Sequence, residues 1–157
     1  MSDSAAHPRG GVTAPHIEQL VEELHCFANA ENIVELKWWI FNGELEALHQ
    51  VGLRLVDPEA SWFHPIGVLK EVRGEIGDGA RELPRAELSA IAHAYLGSPG
   101  NPDDPLQQRL DRVAEDFDLD ARAVQQLTLE ATARIAMWMV RRFRSDRTAE
   151  PHESRPR

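Results

Sequence analysis

Two residue pairs have the spacing of a metal site, Glu22 with His25 and Glu46 with His49. Two inward-pointing Glu-x-x-His pairs, together with two further glutamates, hold the metals of ferritin-like di-iron bundles. On a helical projection, however, Glu22 and Glu46 fall on the side opposite the apolar residues of their own helices. The sequence therefore favours two solvent-exposed carboxylates, and we expect no metal site and no cofactor.

A short acidic run, "DFDLD" at 116–120, begins like a calcium loop of the Asp-x-Asp-x-Asp-Gly type. Ala121 stands where that loop needs its glycine, and Leu127 stands where it needs a bidentate glutamate. The sharp turn and the strongest ligand are both missing. We therefore interpret these aspartates as helix caps.

Lys37 and Glu44 are two charges within the otherwise apolar segment "ELKWWIFNGELEALH". A helix through this segment places both on its apolar face, and Glu44 points inward even if the helix breaks at Asn42-Gly43. The sequence thus predicts that Glu44 is buried. A buried carboxylate needs a partner. The candidates are Lys37, Arg134, Arg142 and a ligand cation.

Three interpretations of this pair remain open. The first is a structural ion pair between helices, and the second is a polar ligand site in a tryptophan-lined cleft. In the third, the Lys37 side chain snorkels to water while Glu44 lies at an interface edge. The loop "SWFHP" adds an aromatic residue and a histidine to the second interpretation. Its ligand-binding candidates are Lys37, Trp38, Trp39, Glu44, Trp62 and His64.

Apolar residues recur at three- and four-residue spacing along most of the chain, and no strand pattern interrupts them. The sequence therefore predicts an all-α protein, a single-domain bundle of about six helices. We expect a disordered N-terminal tail at 1–14, a helical domain at 15–144 and a disordered C-terminal tail at 145–157. The predicted helices cover about 15–29, 32–55, 65–76, 84–96, 105–117 and 121–144. The second of them has a possible break at Asn42-Gly43.

The composition narrows the function classes. The net charge is −9, and residues 141–157 hold six arginines against three carboxylates, a net of +3, so residues 1–140 carry −12. A body this acidic repels phosphate, so we expect no nucleic-acid partner. The longest apolar run is four residues, Trp38 to Phe41, which argues against a membrane span. The single Cys26 excludes an internal disulfide and agrees with a cytoplasmic location. The preference for arginine over lysine is typical of GC-rich bacterial genomes.

The last predicted helix is apolar on two opposite faces. One face serves the core, and the second predicts a homo-oligomer, most simply a dimer. The interface candidates are Leu129, Ala133, Met137 and Val140. The sequence contains no assembled catalytic motif. It therefore predicts a small interaction or regulatory module that forms a homodimer and has no catalytic activity of its own. A further protein partner is compatible with this prediction. The alternative is a small helical enzyme or ligand-binding protein that uses Glu44 with Lys37 or His64.

Overall fold

The computed structural model describes residues 15–55, 65–97, 99, 101 and 103–153, and this part of the chain contains seven α-helices and no strand. The predicted all-α class is confirmed, and the predicted number of helices is close. The helices are α1 (Ile17–Ala28), α2 (Ile33–Phe41), α3 (Glu46–Leu55), α4 (Pro65–Arg81), α5 (Ala86–Leu96), α6 (Leu106–Phe117) and α7 (Ala121–Glu153).

The extra helix arises because the segment 32–55, whose continuity through Asn42-Gly43 the sequence leaves open, breaks at Gly43. Gly43 has φ +78°, which glycine adopts without steric cost. The Glu44 amide donates to the Trp39 carbonyl at 2.8 Å, and the Gly43 amide donates to the Ile40 carbonyl at 3.1 Å. These two bonds form a Schellman motif, which ends α2 and lets α3 start in a new direction.

The third predicted helix, 65–76, ends just before a second glycine-containing segment, "GDG" at 77–79, and this predicted end is wrong. α4 continues through it to Arg81. A β-carbon at Gly79 would lie 2.6 Å from Cδ1 of Trp138. This glycine therefore allows close approach of α7 and does not terminate the helix.

α7 is the central helix of the fold and contacts α1, α3, α4, α5 and α6. It starts at Asp120, whose Oδ1 accepts from the Ala123 amide at 2.8 Å, so the interpretation of this aspartate as a cap is confirmed. Asp118 ends α6 in the left-handed conformation, with φ 55°. The predicted last helix ended near Arg144, whereas α7 reaches Glu153. No glycine or proline interrupts 144–150 to stop it.

The core is an apolar layer shared by α1, α4, α5 and α7. Side chains with almost no solvent exposure include Leu24, Val72, Ile91 and Ile135. α2 lies at the edge of this layer and packs mainly against α4. No helix in the described residues is long and apolar enough to cross a membrane.

Candidate interaction surface on the second helix

α2 begins with a strong capping arrangement. Asn32 has extended backbone angles, and its side chain accepts from the Glu35 amide at 2.8 Å. The Glu35 carboxylate reaches back and accepts from the Glu31 amide, also at 2.8 Å. This reciprocal pattern is close to a capping box, and together with the Schellman motif it fixes both ends of a nine-residue helix.

α2 has one buried face and one exposed apolar face. Leu36 and Ile40 are buried in the core. On the other side, Val34, Trp38 and Phe41 keep 65%, 61% and 72% of their surface exposed. The rings of Trp38 and Phe41 stack with their centroids 6.2 Å apart. Three large apolar side chains on one short helix form a patch of the kind that marks a binding surface.

Lys37 lies at one edge of this exposed patch in the helical projection and is half-buried. No carboxylate of the described residues is within ion-pair distance of it. We therefore define the α2 face as Val34, Lys37, Trp38 and Phe41, three apolar side chains with a cation at their edge that has no ion-pair partner among the described residues.

The prediction that Glu44 is buried is wrong, because its side chain is exposed. Glu44 follows Gly43, and the change of chain direction there removes it from the face that a continuous helix would have given it. Lys37 and Glu44 therefore do not pair with each other, and the interpretation of the two residues as an ion pair between helices is wrong.

The structure describes only some of the residues predicted to line the tryptophan cleft. Trp38 is exposed, whereas Trp39 is partly buried and packs against the core. Trp62 and His64 lie outside the described residues. Their use in a ligand site stays a prediction, but the buried carboxylate that motivated it is not Glu44.

A buried carboxylate that the sequence analysis missed is Glu23 in α1. Its side chain is 7% exposed and accepts three hydrogen bonds. Two come from the amides of Ala47 and Leu48 at 3.1 and 2.9 Å, and one comes from Nε2 of Gln19 at 2.8 Å. Glu23 thus caps α3 from outside that helix and compensates its own burial.

The arginines named as partners for Glu44 pair elsewhere. Arg142 lies 3.6 Å from the carboxylate of Glu75, which is buried in α4. Arg134 pairs at 3.1 Å with Glu130, on its own helix. Both ion pairs are therefore structural contacts of α7, and neither reaches α2.

The predicted interface on α7 is only partly available. Leu129 and Met137 are 55% and 38% exposed, and Ala133 is half-buried between them. Val140, in contrast, is 2% exposed and belongs to the core, so the prediction that it lies in an intermolecular interface is wrong. α7 is covered on several sides by other helices, which leaves only a narrow apolar stripe.

The two Glu-x-x-His pairs do not converge. Glu22 and Glu46 are exposed, as predicted, and no group of three metal-ligating side chains occurs among the residues that the structure describes. Nδ1 of His25 instead lies 2.7 Å from the Tyr95 hydroxyl, which also accepts from Asn29 at 3.3 Å. Burial lowers the pKa of His25.

Two cavities lie away from the α2 face. One, of about 490 Å³, is framed by α5, α6 and α7 and includes Tyr95, Leu110 and Thr128 in its wall. The other, of about 280 Å³, lies between the end of α1 and the start of α6 and includes Arg109. Burial lowers the pKa of Arg109, an effect that Asp104 opposes.

No family model, curated protein or solved structure matches this chain.

Proposed function

We propose that this chain is a helical interaction module and that its α2 face binds the same face of a second copy. The observation that carries the proposal is the exposure of Val34, Trp38 and Phe41 on one side of a well-capped helix. A rigid helix that displays large apolar side chains loses little conformational entropy when it binds.

A second copy fits because the spacing of the face is symmetric. Its residues stand at 34, 37, 38 and 41, so the steps of three, one and three read the same in both directions. Two such helices packed antiparallel about a twofold axis place Val34 against Phe41 of the other copy. The same pairing brings Lys37 to the Trp38 ring of the other copy, a cation–π contact for a cation that has no ion-pair partner in the described part of the chain.

The strength of this dimer can be bounded. Two copies bring together six apolar side chains, each about two-thirds exposed. Burying them contributes roughly 8 kcal/mol if complete burial of one such side chain is worth about 2 kcal/mol. Association costs about 4–15 kcal/mol. We therefore expect a weak dimer that depends on protein concentration.

Charge gives the dimer a recognisable salt dependence. Each copy carries a net charge of −9, so the two copies repel each other electrostatically. Salt screens this repulsion and leaves the apolar contact in place. Salt should therefore strengthen self-association, whereas it would weaken binding to a basic partner.

The proposal is tested by sedimentation equilibrium of the full chain and two single variants, from about 5 to about 500 µM protein, a range chosen to span weak association. The parent should dimerise, and more strongly at high salt. Phe41→Ser should weaken the dimer about 30-fold or more, because a twofold interface loses the side chain twice. Leu129→Ser, which removes an exposed apolar side chain from α7, should leave the dimer unchanged.

Three outcomes would contradict the proposal. A parent chain that stays monomeric over the whole range would exclude the dimer. Disruption by Leu129→Ser with no effect of Phe41→Ser would move the interface to α7. Dissociation on adding salt would indicate an interface held by ion pairs, which the α2 face does not provide.

A further inference from the structure

The larger cavity, of about 490 Å³, lies where α5, α6 and α7 meet. Its volume falls within the range of about 300–1,000 Å³ found for small-molecule pockets. α6 packs mainly against α5 and makes little contact with α7, which follows it after a short connection at 118–120. The cavity is therefore the unfilled space between two consecutive helices.

Each of these two helices presents one regular face to the cavity. The lining positions are 107, 110, 111 and 114 on α6 and 121, 124, 125 and 128 on α7. Both sets have the spacing of a single face of an α-helix. Tyr95 of α5 and Leu119 of the connection complete the wall. The two helix faces therefore belong to one site.

Most of the wall is apolar. Ala114 and Ala121 are small, and they leave space beside the larger side chains of Leu119 and Val124. Leu110 extends the apolar surface along α6. Such a wall favours an apolar ligand group, because the removal of apolar surface from water supplies most of the affinity of a small-molecule pocket.

Three polar side chains of the wall are already engaged within the protein. Oγ1 of Thr128 donates to the Gln125 carbonyl at 2.7 Å, and Nε2 of Gln107 donates to Oδ1 of Asp111 at 2.9 Å. The Tyr95 hydroxyl bonds with two side chains near the end of α1. A ligand therefore meets few free donors here, which disfavours an anion.

Asp111 is the only charged side chain among the described residues that line the cavity. It is exposed, and its bond with Gln107, which also lines the cavity, holds the carboxylate at the wall. Oδ2 has no hydrogen bond or ion pair in the described part of the chain. The net charge of −9 also attracts cations. The charge of the site is therefore complementary to an ammonium group.

We propose that this cavity binds a small organic amine that carries an apolar ring, with the ring between α6 and α7 and the ammonium group at Asp111. An ion pair with an exposed carboxylate is weak, so the ring supplies most of the affinity and the charge supplies the preference for a cation. The proposal is independent of the dimer, because none of these residues belongs to the α2 face.

The probes are three indole derivatives of similar size: tryptamine, a cation; tryptophol, a neutral alcohol; and indole-3-propionate, an anion. Each is titrated at constant ionic strength into the full chain with ¹³C-labelled leucine and valine methyl groups. Tryptamine should cause saturable shifts of the methyl signals of Leu110, Leu119 and Val124, with a Kd on the order of 1 mM. It should bind about threefold more tightly than tryptophol, and indole-3-propionate should bind more weakly than either. The methyl signals of Val34, in α2, should not shift.

Three variants and one control locate the site. Asp111→Asn should reduce the affinity for tryptamine about threefold and leave that for tryptophol unchanged. Asp116→Asn makes the same change at an exposed position of α6 that does not line the cavity, and it should have no effect. Ala114→Leu fills part of the cavity and should abolish binding of both compounds. Phe41→Ser, which tests the dimer, should bind tryptamine as the parent does.

The exposed Asp111→Asn variant keeps the test decisive if Ala114→Leu fails to fold. An absence of saturable shifts at the three methyl positions would overturn the proposal. Equal affinities for tryptamine and tryptophol, or an unchanged tryptamine affinity in Asp111→Asn, would also overturn it.

Discussion

Replacing Glu23 by glutamine is expected to lower the free energy of unfolding by about 2 kcal/mol. Both carboxylate oxygens of Glu23 accept from amides at the start of α3, and one also accepts from Gln19. Glutamine keeps the shape but replaces one acceptor with a donor. At least one donor among the Ala47 and Leu48 amides and the Gln19 side chain then faces another donor in a buried site.

Urea unfolding measures this loss, and the adjacent residue provides a matched control. Glu22→Gln makes the same chemical change at an exposed position one residue earlier, and we expect a change within about 0.5 kcal/mol. Amide exchange at Ala47 and Leu48 should also accelerate in Glu23→Gln. A Glu23→Gln protein as stable as the parent, with unchanged exchange at these amides, would mean that Glu23 does not cap α3.

Replacing Gly52 by alanine is expected to lower the free energy of unfolding by about 2–3 kcal/mol. A β-carbon at this position would lie 2.5 Å from Cγ1 of Val68 and 2.9 Å from its carbonyl oxygen. The valine methyl has little room to move, and the carbonyl belongs to the backbone of α4. The two helices must therefore separate, which outweighs the gain of about 1 kcal/mol that alanine brings to a helix interior.

Gly74 is the matched control for this substitution. It also lies inside a helix, but nothing approaches within 4 Å of the β-carbon that alanine would add. Gly74→Ala should therefore raise the unfolding free energy by about 0.5–1 kcal/mol. Thermal or urea unfolding of both variants measures these two changes in unfolding free energy, which should have opposite signs. A neutral Gly52→Ala would contradict the close approach of α3 and α4.

Helix type and caps were predictable because they depend on neighbours in sequence. Asp120 caps α7 as expected, and the exposure of Glu22 and Glu46 follows from the helical projection. The break at Gly43 remained undecided because an Asn-Gly pair is compatible both with a C-cap and with an internal position. In the structure, the positive φ of Gly43 and the local hydrogen bonds around it show that the pair is a C-cap.

The buried carboxylate was misidentified, because Glu44 was predicted to be buried and Glu23 was overlooked. Glu44 was placed by extending one helical projection across a point where the chain turns. Glu23 stands three residues after Leu20 and four before Phe27, both fully buried, so its own helix already placed it on the core face. A second signal was that α3 lacks a cap of its own. It starts at "GELE", which offers no serine, threonine, aspartate or asparagine as a cap, so another part of the chain has to supply the acceptor.

The exposed face of α2 could not be predicted from periodicity alone. The segment "IVELKWWIF" is apolar on nearly all sides, which is typical of an enclosed helix. In the fold, α2 packs mainly against α4 and leaves its other side open. Which side of an apolar helix stays uncovered depends on the number and position of its neighbours, and the sequence does not contain that information in any local pattern.

The central claim, that two copies meet through α2, is tested most directly by isotope-filtered NMR on a mixture of labelled and unlabelled chains. This measurement detects proton contacts only between different copies. The structure-based pairing predicts contacts between the Val34 methyl groups and the Phe41 ring, and between the Lys37 side chain and the Trp38 ring. Intermolecular contacts confined to Leu129 and Met137, or none at a concentration where the chain is dimeric by mass, would contradict it.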